Sequence, residues 1–367
     1  MDYASNPPGA IRRTKPRTSG APGDTTKSFA AVSRVVKETH LLERTRVFYI
    51  LLFSGLMLAL GGAVTGFILL GDSWFQLLIA GALGLIFTQF AFLAHEASHR
   101  QVFASGPAND RAGRFIATAI VGISYAWWMN KHSRHHANPN KVGKDPDIEL
   151  DTISFQEKDA ETARGIRALI TRKQGYLFFP LLTFEGANLH VRSVAALFTR
   201  EPVKGRWIEL STIAIRFIVV FGAIFWLLPL GMAFAFIGVQ MAVFGVYMGA
   251  SFAPNHKGMP IIGADEKLDF FAKQVRTSRN IRGGWWASAL MGGLNYQVEH
   301  HLFPNMPRPH LAKARDIVRE HCATLGVPYT ETSLVESYSI VIAYLNRVGL
   351  SARDPFDCPM VNQFRRV

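Results

Sequence analysis

This 367-residue sequence predicts an all-α integral membrane protein, with four transmembrane helices in two hairpins and a cytosolic helical cap. Three observations lead there. Hydrophobic residues make up 49% of the chain, well into the range of membrane proteins. Four runs reach the roughly 20 apolar residues that a bilayer crossing needs: Val47 to Leu70, Trp74 to Ala94, Trp207 to Leu228 and Met232 to Phe252. Eight of the twelve histidines gather in three short clusters and one single site, two of them just past the ends of such runs.

Taken in order, residues 1–46 are rich in Pro, Gly, Ser, Thr and basic side chains and lack the apolar core of a signal peptide, so they read as a disordered cytosolic tail. The first two runs are joined by Gly71-Asp72-Ser73 and the second two by Pro229-Leu230-Gly231. Turns this short make two hairpins and return both termini to one side. The apolar stretch from Phe115 to Met129 is too short to cross and ends in Trp127-Trp128, which predicts one helix at the interface. Residues 47–328 form the main domain, and 329–367 a cytosolic C-terminal segment.

Charge placement orients the hairpins. Of forty Lys and Arg residues, nine precede Val47, sixteen lie between Arg100 and Arg206, fourteen follow from Lys257, and Arg216 sits inside the third run, expected to snorkel to the headgroups. Neither outer turn holds one. Loops rich in Lys and Arg stay in the cytoplasm, so the net charge of +13 is accounted for by orientation, and no nucleic-acid partner is called for. The basic face would suit anionic headgroups, coenzyme A phosphates or an acidic redox protein. Cys322 and Cys358 stand alone, with no paired-cysteine motif, which fits a reducing compartment.

The clusters read His95-Glu-Ala-Ser-His99, His132-Ser-Arg-His135-His136 and Gln297-Val-Glu-His300-His301, with His256 following Asn255. All lie on the cytosolic side of the predicted topology. Helix residues three or four apart share a face, so His95 pairs with His99 and His132 with His136, while His135 points about 100° from its neighbour. Adjacent histidines thereby reach two different ions, and so many neutral imidazoles at one surface imply more than one metal. In the third cluster Gln297 stands where a leading histidine would, offering an amide to bind weakly, hold a water or orient a ligand. The isolated His40, His190, His310 and His321 read as structural.

The first cluster also spells the zinc metallopeptidase pattern, His95-Glu96-x-x-His99, with Glu96 as the water-activating base. Catalytic zinc needs only three protein ligands, which leaves most of the other histidines without a role. A soluble carboxylate di-iron protein would need its Glu-x-x-His element twice, and Glu96 to His99 supplies it once.

From about Thr39 to Pro328 the chain resembles the membrane fatty acid desaturases, whose histidine boxes run H-x3/4-H, H-x2-H-H and [HQ]-x2-H-H. The third box and its surroundings, Gly292 to Pro304, are similar to the front-end and related acyl-CoA or acyl-lipid enzymes, as are Asn138 and Lys144-Asp145-Pro146-Asp147. The resemblance implies an enzyme that uses O2 and two electrons to desaturate an acyl-CoA or membrane lipid. It implies two iron ions held by His95, His99, His132, His135, His136, His256, His300 and His301. Many relatives carry an asparagine four residues before the lone histidine, where this chain has Phe252. A fused cytochrome-b5-like motif is not found, so a separate ferredoxin, flavoprotein or cytochrome is the expected donor. A hydroxylase or ketolase on the same scaffold is the nearest alternative. Glu96, Asp145, Asp147 and Glu299 are candidates to orient the imidazoles, Asn255 to bridge a water, and Trp127, Trp128, Trp285 and Trp286 to line the substrate path.

Overall fold

The structure is a computed structural model that describes residues 22–352. It opens with α1 (Pro22–Glu38), followed by the long helices α2 (Arg46–Leu70) and α3 (Gln76–Ser98). Then come α4 (Gly106–Phe115), α5 (Tyr125–Ala137) and the short helices α6 (Glu157–Glu161), α7 (Gly165–Arg172), α8 (Gln174–Leu182) and α9 (Glu185–Leu197). The second long pair is α10 (Arg206–Leu227) and α11 (Leu230–His256). The remainder is α12 (Phe270–Thr277), β1 (Asn280–Ile281), α13 (Gly284–Leu290), α14 (Gln297–Leu302), α15 (Leu311–Leu325), β2 (Glu331–Thr332) and α16 (Leu334–Gly349). The strands form one parallel pairing, Asn280 with Glu331 and Ile281 with Thr332.

Among the described residues, four helices are long and apolar enough to cross a membrane: α2, α3, α10 and α11. They divide into two inner and two outer ones. Burial reaches 44% of the apolar window in α3 and 39% in α11, against 11% in α2 and 17% in α10. The outer pair therefore presents Leu58, Leu69, Ile218 and Trp226 outward, as surface facing lipid must. Close approach of α9 to α11 depends on Gly186 and Gly245: a Cβ on Gly186 would lie 2.2 Å from the Met241 carbonyl oxygen.

Both inner helices outrun the apolar stretches predicted for them. α3 continues through His95 and α11 through Asn255 and His256, so rigid helix carries ligand-type side chains beyond the apolar zone. The cap of α5, α12, α14 and α15 closes over these ends.

Three expectations change. Part of the predicted disordered tail is helical: α1 buries Val32 and Val36, one turn apart, in a cluster with Phe271, Val275 and Val318. Composition alone hid that apolar stripe; residues 1–21 and Cys358 lie outside the described residues. The single interfacial helix expected over Phe115 to Met129 is divided, because a π-helical turn at Ile116–Val121 ends at Gly122 with φ of +96° and Ser124 caps a new helix. Arg216 does not snorkel. It is buried, its Nε donates to the Ile120 carbonyl at 2.9 Å, and its guanidinium lies 5.2 Å from the ring centres of Phe87 and Phe217.

Candidate metal centre

Each histidine cluster is delivered by a helix with its own anchorage. The α5 start is fixed by the buried carboxylate of Glu209, which accepts from Ser124 Oγ at 2.6 Å and from Ala126 N, and pairs with Arg114 at 3.1 Å. A carboxylate at a helix N-terminus also answers the helix dipole. The α11 end is fixed by the buried Arg279, whose guanidinium donates to the carbonyls of Pro254 and Lys257. Its backbone N–H donates to the Asn255 carbonyl at 2.8 Å.

With the helices so placed, the eight histidines collect into two sets. His95, His99, His132, His136 and His300 offer one nitrogen each, all within 4.8 Å of one another, and His135, His256 and His301 form a second such group. The sets abut where the His136 and His301 rings stack at 4.2 Å. Neighbouring histidines part company in both doublets: His136 and His300 join the first set, His135 and His301 the second.

Set two answers directly whether a cation belongs there. His256 Nδ1 donates to the Thr277 carbonyl at 2.9 Å, His301 Nδ1 to Gln274 Oε1 at 2.9 Å, and His135 Nδ1 to Asp145 at 3.0 Å. Each proton is thereby assigned to Nδ1, and each Nε2 keeps a lone pair. Yet His256 Nε2 faces His301 Nε2 at 3.1 Å and His135 Nε2 at 3.3 Å. Lone pairs aimed at one another with no proton between them are repulsive, and a metal ion relieves them. Ligands about 2.1 Å from a common ion lie roughly 3.0 to 3.4 Å apart, which matches.

Set one makes the same case differently. Both ring nitrogens of His95 are buried without a hydrogen-bond partner, His99 Nε2 faces His132 Nε2 at 2.7 Å, and His300 Nε2 faces His136 Nε2 at 3.2 Å. Burial pushes the His99 imidazole down to about 3, and burial with neighbouring imidazoles pushes His132, His136, His300 and His301 well below the ordinary histidine range. Neutral rings are what a metal requires. His135 alone moves upward: burial opposes its charge, but the carboxylates of Asp147 and Asp145 outweigh that.

The expected supporting carboxylates divide. Asp145 and Asp147 both reach His135 Nδ1, and Asp145 is itself held by the backbone N–H groups of Asn140 at 2.7 Å and Asp147 at 2.9 Å. Glu96 and Glu299 do not touch the imidazoles. Glu96 is gripped by Arg308 through two 2.7 Å contacts, so it is not free to serve as the base of a zinc peptidase. Glu299 accepts from Asn280 Nδ2 at 2.7 Å and from Tyr329 Oη at 2.9 Å, tying the third box to the chain on either side of it. Burial pushes the Glu299 carboxyl up to about 7.

Among the tryptophans, Trp128 stacks on His132 at 4.2 Å and edges His95 at 5.5 Å. Trp127 packs in the apolar cluster with Phe87 and Phe90. Trp285 is 83% exposed and Trp286 45%. Asn255 and Gln297 both border set two. The isolated His190, His310 and His321 bond to carbonyl oxygens of Gly186, Leu41 and Ser28, and His40 to Glu43. Sequence reading missed Gln274, Thr277, Arg279 and Arg308. No local pattern marks them: each stands among other polar or charged residues in the sequence. Gln274 is the most telling: its Oε1 accepts from His301 Nδ1 and its Nε2 donates to the His136 carbonyl at 2.8 Å, bracing both sets.

Residues 72–333 match the family model described as fatty acid desaturase. The chain is 30% identical over 331 residues to the Delta(8)-fatty-acid desaturase of Helianthus annuus, covering 84% of this chain and 69% of that protein. It is 31% identical over 284 residues to the acyl-lipid (9-3)-desaturase of Physcomitrium patens, covering 74% and 53%. The Delta(6)-fatty-acid desaturase of Caenorhabditis elegans is 28% identical over 284 residues, covering 73% and 63%.

Proposed function

Because this chain belongs to the fatty acid desaturase family, we propose that its histidines hold two non-haem iron ions and that it desaturates the acyl chain of a membrane lipid or acyl-CoA with O2 and two electrons. The carrying observation is the convergence of ring nitrogens into two abutting sets, with the protons of set two assigned away from the centre. His95, His99, His132, His136 and His300 would hold one ion, and His135, His256 and His301 the other. Bound iron with O2 supplies the oxidising power that an unactivated C–H bond demands and no side chain possesses.

The chain's own residues supply placement. Asp145, Thr277 and Gln274 hold three imidazoles in one tautomer, so the ligand geometry exists before any metal arrives. On the membrane side of His95, Trp128 at 5.5 Å and Phe252 at 6.3 Å form aromatic walls, and Phe92 packs against Phe252. An acyl chain lying along these walls is kept from water and presented by position alone, since its methylenes are chemically alike. Where the double bond falls then depends on how far the chain runs past His95. The relatives are named for acyl-lipid, Delta(8) and Delta(6) activities, which supports a long acyl substrate.

Orientation follows from charge. The histidine-bearing ends of α3 and α11 and both described termini belong on the cytosolic side, because neither hairpin turn carries Lys or Arg. A ferredoxin, flavoprotein or cytochrome would donate electrons there. Metal analysis together with lipid mass spectrometry after heterologous expression tests the proposal: two irons per chain and lipids lighter by two hydrogens are expected. Zinc alone, or added oxygen in place of the double bond, would refute it.

A further inference from the structure

The two sets differ in ligand number, and the difference has a neighbour that explains it. Set two contains three imidazoles against five, which leaves its ion short of ligands. Gln297 stands beside it in the position that a histidine would occupy in a fully imidazole box. Whether its amide presents oxygen or nitrogen to the ion decides its role, and the surrounding hydrogen bonds settle that.

The chain of constraints begins at a carbonyl. Asn255 is wholly buried, and its Nδ2 lies 3.2 Å from the Ser251 carbonyl oxygen, which can only accept. The end of the Asn255 amide facing Ser251 must therefore be the donor. The same Nδ2 lies 3.2 Å from the Gln297 amide, whose facing atom is then Oε1. That turns Gln297 Nε2 toward set two, where it sits 2.9 Å from His256 Nε2. The His256 proton is on Nδ1, held by Thr277, so this Nε2 offers a lone pair to the amide N–H. Once an ion takes that lone pair, the Gln297 N–H is left aimed into the coordination sphere, and an N–H cannot be a ligand.

We infer that Gln297 is not a metal ligand but a hydrogen-bond donor to a small oxygen or anionic ligand on the ion of set two, and that Asn255 is the positioning residue that keeps its N–H turned inward. Set two, with three imidazoles, consequently keeps more exchangeable positions than set one, with five. The inference rests on the two-metal reading above. It deepens that reading by stating which ion accepts an exogenous ligand and which side chain steadies it.

Cobalt(II) loaded into the purified full-length chain, followed by azide titration in the visible spectrum, tests this. Two cobalt ions per wild-type chain and saturable azide binding are expected. Gln297→Met keeps the bulk but removes the donor, and should retain two cobalt ions while binding azide roughly tenfold or more weakly, the loss of one hydrogen bond to a charged partner. If Gln297 were a ligand, the same substitution would vacate a position and azide would bind as tightly or more tightly, which overturns the inference. Asn255→Asp provides a second reading independent of Gln297→Met folding: a carboxylate there accepts the Gln297 N–H, turns the amide oxygen onto the ion and should also weaken azide. Unchanged azide affinity in Asn255→Asp overturns the assignment of Asn255. Fewer than two cobalt ions in the wild-type chain would instead overturn the two-metal reading itself.

Discussion

The two imidazole sets lie ring against ring, yet they are preorganised by different means. In set two, every Nδ1 is tied to an oxygen: His135 to Asp145, His256 to the Thr277 backbone and His301 to Gln274. Set one relies on numbers and on helix placement. Its His95 ring has no hydrogen bond among the described residues, and the buried ion pair beside it in sequence, Glu96 with Arg308, steadies α3 rather than any imidazole. A site with three ligands cannot spare one or tolerate a misaimed one. A site with five can leave orientation to the ion.

The sharpest way to break this contrast is to delete one imidazole from each set. His301→Ala is expected to abolish desaturation and leave one iron per chain. His300→Ala is also expected to abolish desaturation, with expression largely intact, but to leave both irons bound. Metal analysis of the two purified variants decides it, and equal iron loss in both would dissolve the distinction.

Removing an orienting group should separate affinity from stability. Gln274→Met takes away the oxygen that fixes His301, and metal affinity at set two should fall about 10- to 100-fold, as measured by competition with a chelator. Arg308→Met instead leaves Glu96 buried without its partner, and breaking such a pair costs about 3–5 kcal/mol. Its thermal midpoint should drop markedly while folded chains still carry two irons. A normal melting profile for Arg308→Met would mean that the ion pair does not brace α3.

The smallest effects concern the tryptophans. Trp128→Ala removes the ring stacked on His132, and turnover should fall by up to about a hundredfold, the cost of a misplacement near 1 Å. Trp285→Ala alters an exposed side chain and should change stability by less than about 0.5 kcal/mol. Activity assays in parallel would show whether the sequence-level grouping of four tryptophans as one path holds for Trp128 alone.

Much of the fold was readable beforehand because a bilayer restricts the options. Only helices satisfy every backbone group in such runs, so four apolar stretches yield α2, α3, α10 and α11. What escaped was the amphipathic α1, masked by a basic, Pro- and Gly-rich composition, and the division of the segment around Gly122. At the site, the box histidines declared themselves by spacing. Gln274, Thr277 and Arg279 did not, since the partners of each lie in other segments of the chain.

Helical periodicity in the sequence was enough to require that neighbouring histidines in a doublet diverge by about 100° and so serve separate sets. Tertiary structure alone decided who meets whom: His99 with His132 across 33 residues, His136 with His300 across 164. It also decided which end of Gln297 faces inward. The physical reason is that a local repeat sets angles along one helix, whereas distances between helices and the direction of an amide come from packing of α3 on α11 and from donors and acceptors that only folding brings together.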